Sequence, residues 1–141
     1  MTDYLEPTQE AGRAFIMRGI EGPVVMLNLL RFREQADYAH APELAPSEPI
    51  SGAQAFERYV EHALPFLAAS GGELLFMGEA GQFLIGPADE RWDLAMLVKQ
   101  SSAAAFLAYP DDPAYMAGLA HRTAALLDSR LLPLAPLPIP A

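Results

Sequence analysis

Apolar residues recur along the chain in short runs and at helical spacing, and the order of these segments predicts the fold. Strands are predicted at residues 23–32, 73–77, 82–85, 92–98 and 130–132. Helices are predicted at residues 8–20, 51–70, from 101 or 102 to about 110, and 113–127. Once the leading helix is set aside, the order is strand, helix, hairpin, strand, split helix, strand. This order predicts an α+β domain of the ferredoxin-like βαββαβ type, with an antiparallel sheet, helices on one face and an extra N-terminal helix.

One helix has well-defined ends in the sequence. Ser51 precedes Gln54 by three positions, which is the spacing of a capping box, and apolar residues at helical spacing follow. Gly71 and Gly72 follow Ser70, just beyond the last apolar residue, Ala69, where glycine commonly ends a helix. The segment between these signals is therefore the best-specified helix of the chain.

The first strand is apolar on both faces, which predicts a partner for the sheet. Because side chains alternate along a strand, its two faces can be assigned from the sequence. One face carries Val24, Met26, Leu30 and Phe32, and the other carries Val25, Leu27 and Leu29. Helices of this fold cover one face only. We therefore expect the second face to pack against the sheet of an identical subunit, so that the protein forms a homodimer.

Length and composition narrow the class of protein. The 141 residues suit one domain, with a core at 22–134, a loop insertion at 33–50 and a proline-rich tail at 135–141. The formal net charge is -9, so nucleic acid and anionic membranes are not expected partners. The chain has no cysteine, no signal-peptide pattern and no apolar stretch long enough to span a bilayer. We therefore expect a cytoplasmic protein.

Two polar residues lie where the pattern is otherwise apolar, and they are candidate ligand-binding residues. Asn28 shares one face of the first strand with Met26, where an unpaired amide would cost about 1–3 kcal/mol. It either bonds a neighbouring backbone group or orients a ligand. Arg122 falls on one helical stripe with Tyr115, itself a candidate for stacking on a ligand. An arginine there extends into solvent, pairs with an acid or binds an anionic ligand.

Further candidates come from aromatic and titratable side chains. Tyr59 and His62 lie three residues apart at the border of their helix's apolar stripe, and with Tyr115 they are the candidates for moving a proton in an enzyme. Trp92, at a strand start, is either a core or rim aromatic or stacks on a ligand. No metal site is predicted, because the three histidines lie on different elements without ligand spacing: His40, His62 and His121.

Several of these segments together resemble a known family. They are residues 22–32, the helix with Tyr59 that ends at Gly71-Gly72, Trp92-Asp93, and Asp112-Pro113-Ala114-Tyr115 with Arg122. Over residues 22–134 the chain is similar to the domain-of-unknown-function family 1330, in the dimeric α+β barrel superfamily. The resemblance implies a ferredoxin-like subunit whose sheet packs on its partner's sheet to form a barrel. It carries over no catalytic residue, because no catalytic motif of the wider superfamily is matched.

Two functions fit these features. The first is a homodimer with one small pocket per subunit for an apolar or anionic metabolite, in which Asn28 and Arg122 fix polar groups and Trp92 or Tyr115 stacks. If that protein is an enzyme, cofactor-independent isomerisation or oxygenation is expected. The second is a non-catalytic dimeric module, in which the same residues only stabilise the fold and the interface. The insertion and the tail either cover a pocket mouth or embrace the partner.

Overall fold

The computed structural model describes residues 3–140, and its elements follow the predicted order except around residues 82–85. The helices are α1 (Gln9–Met17), α2 (Gly52–Ala69), α3 (Ala103–Leu107), α4 (Pro113–Met116) and α5 (Leu119–Ala125). The strands are β1 (Val24–Phe32), β2 (Glu73–Glu79), β3 (Leu94–Gln100) and β4 (Leu126–Leu134). Short 3-10 turns lie at Pro42–Leu44 and Tyr109–Asp111.

The four strands form one antiparallel sheet in the order β2-β3-β1-β4. The central strand β1 pairs with β3 on one side and with β4 on the other, which leaves β2 and β4 at the edges. Two helical connections, one through α2 and one through α3 to α5, link strands that are not neighbours. This is the ferredoxin-like arrangement, so the predicted fold class is confirmed.

Both halves of the predicted capping box are present at the start of α2. The Gln54 amide donates to the Ser51 hydroxyl at 3.0 Å, and the Ser51 amide donates to the Gln54 side chain at 2.9 Å. At the other end, Gly71 adopts a φ of 84°, which a side chain would strain. The strongest helix signal in the sequence therefore corresponds to the longest helix of the structure.

The helices cover one face of the sheet. On this helix-facing side, Val24, Met26 and Leu30 of β1 are 0%, 1% and 0% exposed. Leu30 packs in a cluster with Phe56 of α2 and the end of α5, while Val24 and Met26 pack with Phe15 of α1. The apolar core therefore has two parts, one at each end of β1.

The other side of the sheet, called the open face below, carries Val25, Leu27 and Leu29, which all remain partly exposed. Their ladder partners point to the same side: Lys99, Leu97 and Ala95 on β3, and Leu134, Leu132 and Arg130 on β4. As predicted, β1 is apolar on both faces, and the helices of the subunit cover only one of these faces.

The predicted strand at residues 82–85 is wrong. Gln82 forms an isolated bridge with Arg91, and the hairpin joins β2 directly to β3 across residues 80–93. Strand β3 begins only at Leu94 and pairs with β2 itself. Residues 82–85 therefore have no neighbouring strand to pair with and lie in the connecting loop. Leu84 and Ile85 are 100% and 92% exposed. The same shift places Trp92 before β3 instead of inside a strand.

The predicted continuous helix over residues 113–127 is also wrong. Helix α4 ends at Met116, α5 begins at Leu119, and the last two residues belong to β4, which is longer than the predicted strand at 130–132. The break lies at Gly118, where a Cβ atom would lie 2.6 Å from Nε2 of His62. Tyr115 and Arg122 therefore lie on two short helices, and the single stripe that joined them does not exist.

Residues 4 and 5 form a strap across the edge of β4, called the N-terminal strap below. The Tyr4 amide donates to Oδ1 of Asp128 at 2.8 Å, and the Ser129 hydroxyl donates to the Tyr4 carbonyl. Asp128 lies opposite Arg31 on the open face, whereas Ser129 lies opposite Leu30 on the helix-facing side. The strap is therefore bonded to β4 from both faces of the sheet.

The two irregular segments differ in how they are held. The insertion at 33–50 is bonded to its surroundings, for example by the Ala36 amide to the Ile50 carbonyl at 2.9 Å and the Asp37 amide to the Ala124 carbonyl at 2.9 Å. The proline-rich tail continues β4 with its apolar side chains in solvent, Leu137 at 82% and Ile139 at 92% exposed. Its last residue lies outside the described residues.

Candidate functional site

A pair of tyrosines joins two of the helices above the sheet. The hydroxyl groups of Tyr59 on α2 and Tyr115 on α4 are 2.7 Å apart. Tyr115 also stacks on Tyr109, with ring centroids 4.9 Å apart, and meets Phe66 edge-on. Burial, and after it the neighbouring Tyr59, raise the pKa of Tyr115, so this phenol stays protonated throughout the physiological range. Since one hydrogen bond uses one of the two hydroxyl protons, the pair keeps a proton for a third group.

His62 completes this cluster from α2. Its Nε2 lies 2.9 Å from the carbonyl oxygen of Tyr115. Because a carbonyl only accepts, Nε2 carries a proton, and in the neutral ring Nδ1 is left as an acceptor. The imidazole ring also packs on Phe66 with centroids 5.2 Å apart. The structure therefore brings the three predicted proton carriers together: Tyr59, His62 and Tyr115.

Asn28 lies at the middle of the helix-facing side of the sheet, in one row with Met96 on β3 and Leu131 on β4. Met96 is 6% exposed, Leu131 is 43% exposed and Asn28 is partly exposed. Its Nδ2 donates to the Met26 carbonyl of the same strand at 3.2 Å. The helix layer is thus open over Asn28 on the β4 side, and one backbone bond satisfies only part of the amide.

Arg122 on α5 lies between the tyrosine pair and the N-terminal strap. Its guanidinium donates to the Leu5 carbonyl at 3.0 Å, and its charge offsets part of the effect of burial on the pKa of Tyr115. Within residues 3–140 it forms no ion pair, so the acid-paired alternative is not observed. Leu5 and Tyr59 both pack against the core cluster that contains Met96, the ladder partner of Asn28. Arg122 therefore lies on the same side of the sheet as Asn28.

Trp92 lies apart from these residues. Its side chain is 1% exposed, and its Nε1 donates to Glu90 at 3.3 Å. The guanidinium carbons of Arg31 and Arg130 lie 5.2 and 4.9 Å from the centre of its ring. Both arginines belong to the open face of the sheet. The structure thus places Asn28, Tyr115 and Arg122 on the helix-facing side and Trp92 with a different set of partners.

A buried carboxylate near Trp92 was not singled out in the sequence. Asp128 is 1% exposed, and its Oδ1 accepts hydrogen bonds from the Tyr4 amide, the Ser129 amide and the Arg130 guanidinium at 2.8, 2.8 and 2.7 Å. Burial alone would raise the pKa of Asp128, but these three bonds outweigh it and lower the pKa. The available signal was an acid between two apolar pairs of the last strand, followed by Ser129 and by the basic Arg130.

A second contact missed in the sequence fastens the insertion to α5. The Tyr38 hydroxyl lies 2.7 Å from Nδ1 of His121, and Tyr38 is 7% exposed. Burial lowers the pKa of His121, and the nearby Arg58 and His62 lower it further. The neutral ring accepts a hydrogen bond from the Tyr38 hydroxyl through Nδ1. No short-range pattern could indicate this pair, because its members are 83 positions apart.

Two open depressions lie over the insertion. One is lined by Glu34, Gln35, Pro49, Ile50 and Ser51, and the other by Arg33 and several residues between 35 and 50. Neither includes a predicted site residue. Among residues 3–140 there is no cluster of three potential metal ligands. In the same part of the chain, no helix is long and apolar enough to cross a membrane.

Comparison with known proteins identifies the family. The model of a domain of unknown function, DUF1330, matches residues 47–132. Among solved structures, the methylated RPA0582 protein is 37% identical over 98% of both chains, with a TM-score of 0.84. A second structure of RPA0582, a protein of unknown function from Rhodopseudomonas palustris, is 36% identical over 98% of this chain and 100% of that chain, with a TM-score of 0.82. No curated protein matches the chain significantly.

A more distant neighbour is a dimeric protein of unknown function with a ferredoxin-like fold from Bacteroides fragilis. It is 13% identical over 80% of this chain and 95% of that chain, with a TM-score of 0.47. The family match begins at residue 47, so β1 and α1 lie outside it, although the segment at 22–32 was part of the resemblance. The match includes α2, β2, β3 and the later helices, and it spans more than half of the sequence. The chain therefore belongs to the DUF1330 family.

Proposed function

We propose that the chain forms a homodimer through the open faces of two sheets, and that each subunit binds a small apolar molecule with a carboxylate between its helices and its sheet. One observation carries the binding proposal. A partly exposed amide, Asn28, lies at the middle of the helix-facing side, which also carries Arg122, a cation that forms no ion pair within the described residues.

The composition of the open face supports the dimer. Leu27 lies at its centre, between Leu97 on β3 and Leu132 on β4. Leu132 is 53% exposed, and Phe76 on β2, which lies opposite Leu97, is 58% exposed. A continuous apolar surface of this kind on a small domain marks an interface. A two-fold symmetric pair of sheets covers it with an identical surface.

The edge strand β2 supports a closed barrel over two simply stacked sheets. Exposed edges normally carry charged residues or prolines that prevent further pairing. In β2, all five residues between Glu73 and Glu79 are uncharged. Apolar side chains at both edges are exposed on both faces: Leu75 at 46%, Phe76 at 58%, Met77 at 43%, Leu131 at 43% and Leu132 at 53%. We therefore place β4 of one subunit beside β2 of the other, which would close the barrel that the family resemblance implies.

The proposed ligand site combines one cation, one amide and one phenol. Arg122 suits a carboxylate, because a guanidinium presents paired donors to its two oxygens. Asn28 supplies an amide that is bonded only once, and the tyrosine pair supplies the remaining hydroxyl proton. Leu131 and Met96, on either side of Asn28, offer apolar contact. Trp92 is 1% exposed, so we leave it out of this site.

The same cluster suits proton transfer if the bound molecule reacts. The raised pKa of Tyr115, caused mainly by burial, makes the phenol a donor and not a base. Nδ1 of His62 is the available acceptor, because Nε2 faces the Tyr115 carbonyl. A donor and an acceptor in one cluster fit an isomerisation in which a proton leaves one carbon atom and returns to another.

The ligand proposal is tested with a panel of aliphatic and aromatic carboxylates and their matched primary amides. We expect carboxylates to bind in calorimetric titrations and to raise the melting temperature, and the amides to fail. Arg122→Ala should abolish this binding, whereas Arg13→Ala, at an exposed position on α1, removes the same charge without effect. If no carboxylate binds the wild type and Arg122→Ala only lowers stability, the chain is the non-catalytic module instead.

The dimer proposal is tested by light scattering coupled to size exclusion. The wild type should give twice the 15.3 kDa chain mass. Leu132→Glu places a charge on the open face and should yield monomers, because a buried unpaired carboxylate opposes association. Leu64→Glu is the matched control on α2, at a position 40% exposed on the helical side, and should stay dimeric. A wild-type monomer at micromolar concentration would overturn the dimer.

A further inference from the structure

The loop between β2 and β3 ends in an uncharged apolar projection, residues 82–86, called the finger below. Leu84 is 100% exposed and Ile85 is 92% exposed, so neither side chain contributes to the core of its own subunit. Two fully exposed aliphatic side chains in sequence are costly in water and indicate a surface that is covered in the working protein.

The finger is held in shape by its base. Gln82 and Arg91 form a bridge, and the Trp92 amide donates to the Gly81 carbonyl at 3.1 Å. At the far side, Gly86 lies against Phe83, where a Cβ atom would be 2.8 Å from Cγ of the ring. Phe83 thus packs within the finger and leaves Leu84 and Ile85 directed outward. Little conformational entropy remains to be lost when such a loop docks.

The register of the sheet shows where the finger lies. It follows the end of β2 at which Glu79 pairs with Leu94, and Leu94 pairs in turn with Leu30, which lies opposite Ser129 near the start of β4. The finger and the start of β4 therefore lie at the same end of the sheet but at opposite edges. Three strand spacings, about 14 Å, separate these edges within one subunit.

We propose that the finger of each subunit packs on Leu127 and Tyr4 of its partner, at the start of the partner's β4. This inference rests on the proposed dimer, which sets β2 of one subunit along β4 of the other. Leu127 is 41% exposed and Tyr4 is 53% exposed, so both offer apolar surface at that place. Tyr4 belongs to the N-terminal strap, which also holds Arg122 through the Leu5 carbonyl.

The finger thereby makes the ligand site of one subunit depend on the other. With the finger docked, the strap is covered from outside, and Arg122 keeps its position beside the tyrosine pair. A lipid surface is a less suitable partner for the finger than a second subunit. Interfacial membrane segments carry lysine or arginine beside their apolar residues, whereas the finger has none in a chain of net charge -9.

The absence of cysteine from the sequence makes the test direct. In the double variant Leu84→Cys/Leu127→Cys, a short bismaleimide should join two chains and give a covalent dimer on a denaturing gel. Neither single variant should do so. Met17→Cys/Leu127→Cys is the matched control, because Met17 is 79% exposed on α1, away from the finger. A link within one subunit would leave the chain mass unchanged.

Each other outcome overturns the inference in a distinguishable way. A covalent dimer of Leu84→Cys alone would place two fingers together and reject the pairing of β2 with β4. A dimer by light scattering without the Leu84–Leu127 link would reject the finger contact and keep the dimer. A monomer would reject both.

A second measurement tests the effect on the strap. In dimers of Leu84→Ser, hydrogen exchange of the peptide that contains residues 3–8 should be severalfold faster than in the wild type. Met17→Ser should leave the exchange of that peptide unchanged. Equal exchange in Leu84→Ser and wild type would show that the finger does not cover the strap. Insertion of the wild type into vesicles of anionic phospholipid, lost in Leu84→Ser, would assign the finger to a membrane instead.

Discussion

Asp128 gives the sharpest test of how the N-terminal strap is held. Three donors converge on its Oδ1 atom within 2.8 Å, from the Tyr4 amide, the Ser129 amide and the Arg130 guanidinium. Replacement by asparagine keeps the shape and one acceptor oxygen but removes the charge. Asp128→Asn should therefore weaken all three bonds at once and leave the backbone of β4 in place.

The size of the effect follows from burial and charge. Hydrogen bonds to a charged group contribute about 1.5–3 kcal/mol each, and an amide oxygen retains part of that. The ion pair with Arg130 is partly screened, because the Arg130 side chain is 32% exposed against 2% for Asp128. We expect Asp128→Asn to lower the free energy of unfolding by about 2–4 kcal/mol at neutral pH.

The effect also has a defined pH dependence. Burial by itself would raise the pKa of Asp128, but the three hydrogen bonds lower it below the ordinary value of 3.8. A carboxyl whose pKa is lower in the folded state stabilises the protein above its unfolded pKa. This stabilisation is lost as the pH falls through the folded pKa. The difference between wild type and Asp128→Asn should therefore be full at pH 7 and shrink below about pH 4.

The assay is urea unfolding of both proteins at one protein concentration, because the stability of the proposed dimer would depend on concentration. It is repeated at pH 7 and at pH 3. Asp89→Asn, at an exposed loop position, removes the same charge and should change the stability by less than about 0.5 kcal/mol. Two results would refute the reasoning. One is that Asp128→Asn loses as little stability as Asp89→Asn, and the other is that its loss of stability stays constant down to pH 3.

Three further predictions concern single contacts. Gly52→Ala should lower the free energy of unfolding in urea by about 3 kcal/mol or more, because the added Cβ would collide with two backbone segments. Gly12→Ala is the control, since Gly12 lies in open space on α1, and it should raise the free energy of unfolding by about 0.5–1 kcal/mol. Ser51→Ala should cost about 1 kcal/mol by removing the α2 cap, and equal stability would contradict the observed capping box. For the tyrosine pair, a double-mutant cycle of Tyr59→Phe and Tyr115→Phe should show a coupling of about 0.5–1.5 kcal/mol, and additive losses would mean that the hydroxyls do not interact.

Features of the fold that depend on neighbouring residues were predicted from the sequence. The capping box at Ser51, the two faces of β1 and, apart from residues 82–85, the order of elements need only local spacing, and these agree with the structure. The strand at 82–85 and the long helix failed for the opposite reason. The first lacks a pairing position because β3 starts later in the chain, and the second is broken where Gly118 passes the ring of His62.

The candidate site likewise combines features that local spacing predicts with contacts that only the tertiary structure creates. Tyr59 and His62 share a helix, so their spacing placed them together, but only the fold brings Tyr115 to both. Asp128 could not be assigned a role from the sequence, because its partner Tyr4 lies 124 positions away. Polar residues in apolar runs are visible in a sequence, whereas the groups that satisfy them are set by tertiary structure.

The uncharged edge of β2 has a consequence for how this protein is made and handled. In the proposed dimer this edge lies beside the partner's β4, so a newly folded subunit must reach its partner before the edge pairs with another compatible strand. Refolding yield should therefore pass through a maximum with protein concentration, since very dilute chains stay unpaired and concentrated chains aggregate. Charges at this edge should therefore reduce the aggregation of the monomers that Leu132→Glu is expected to produce.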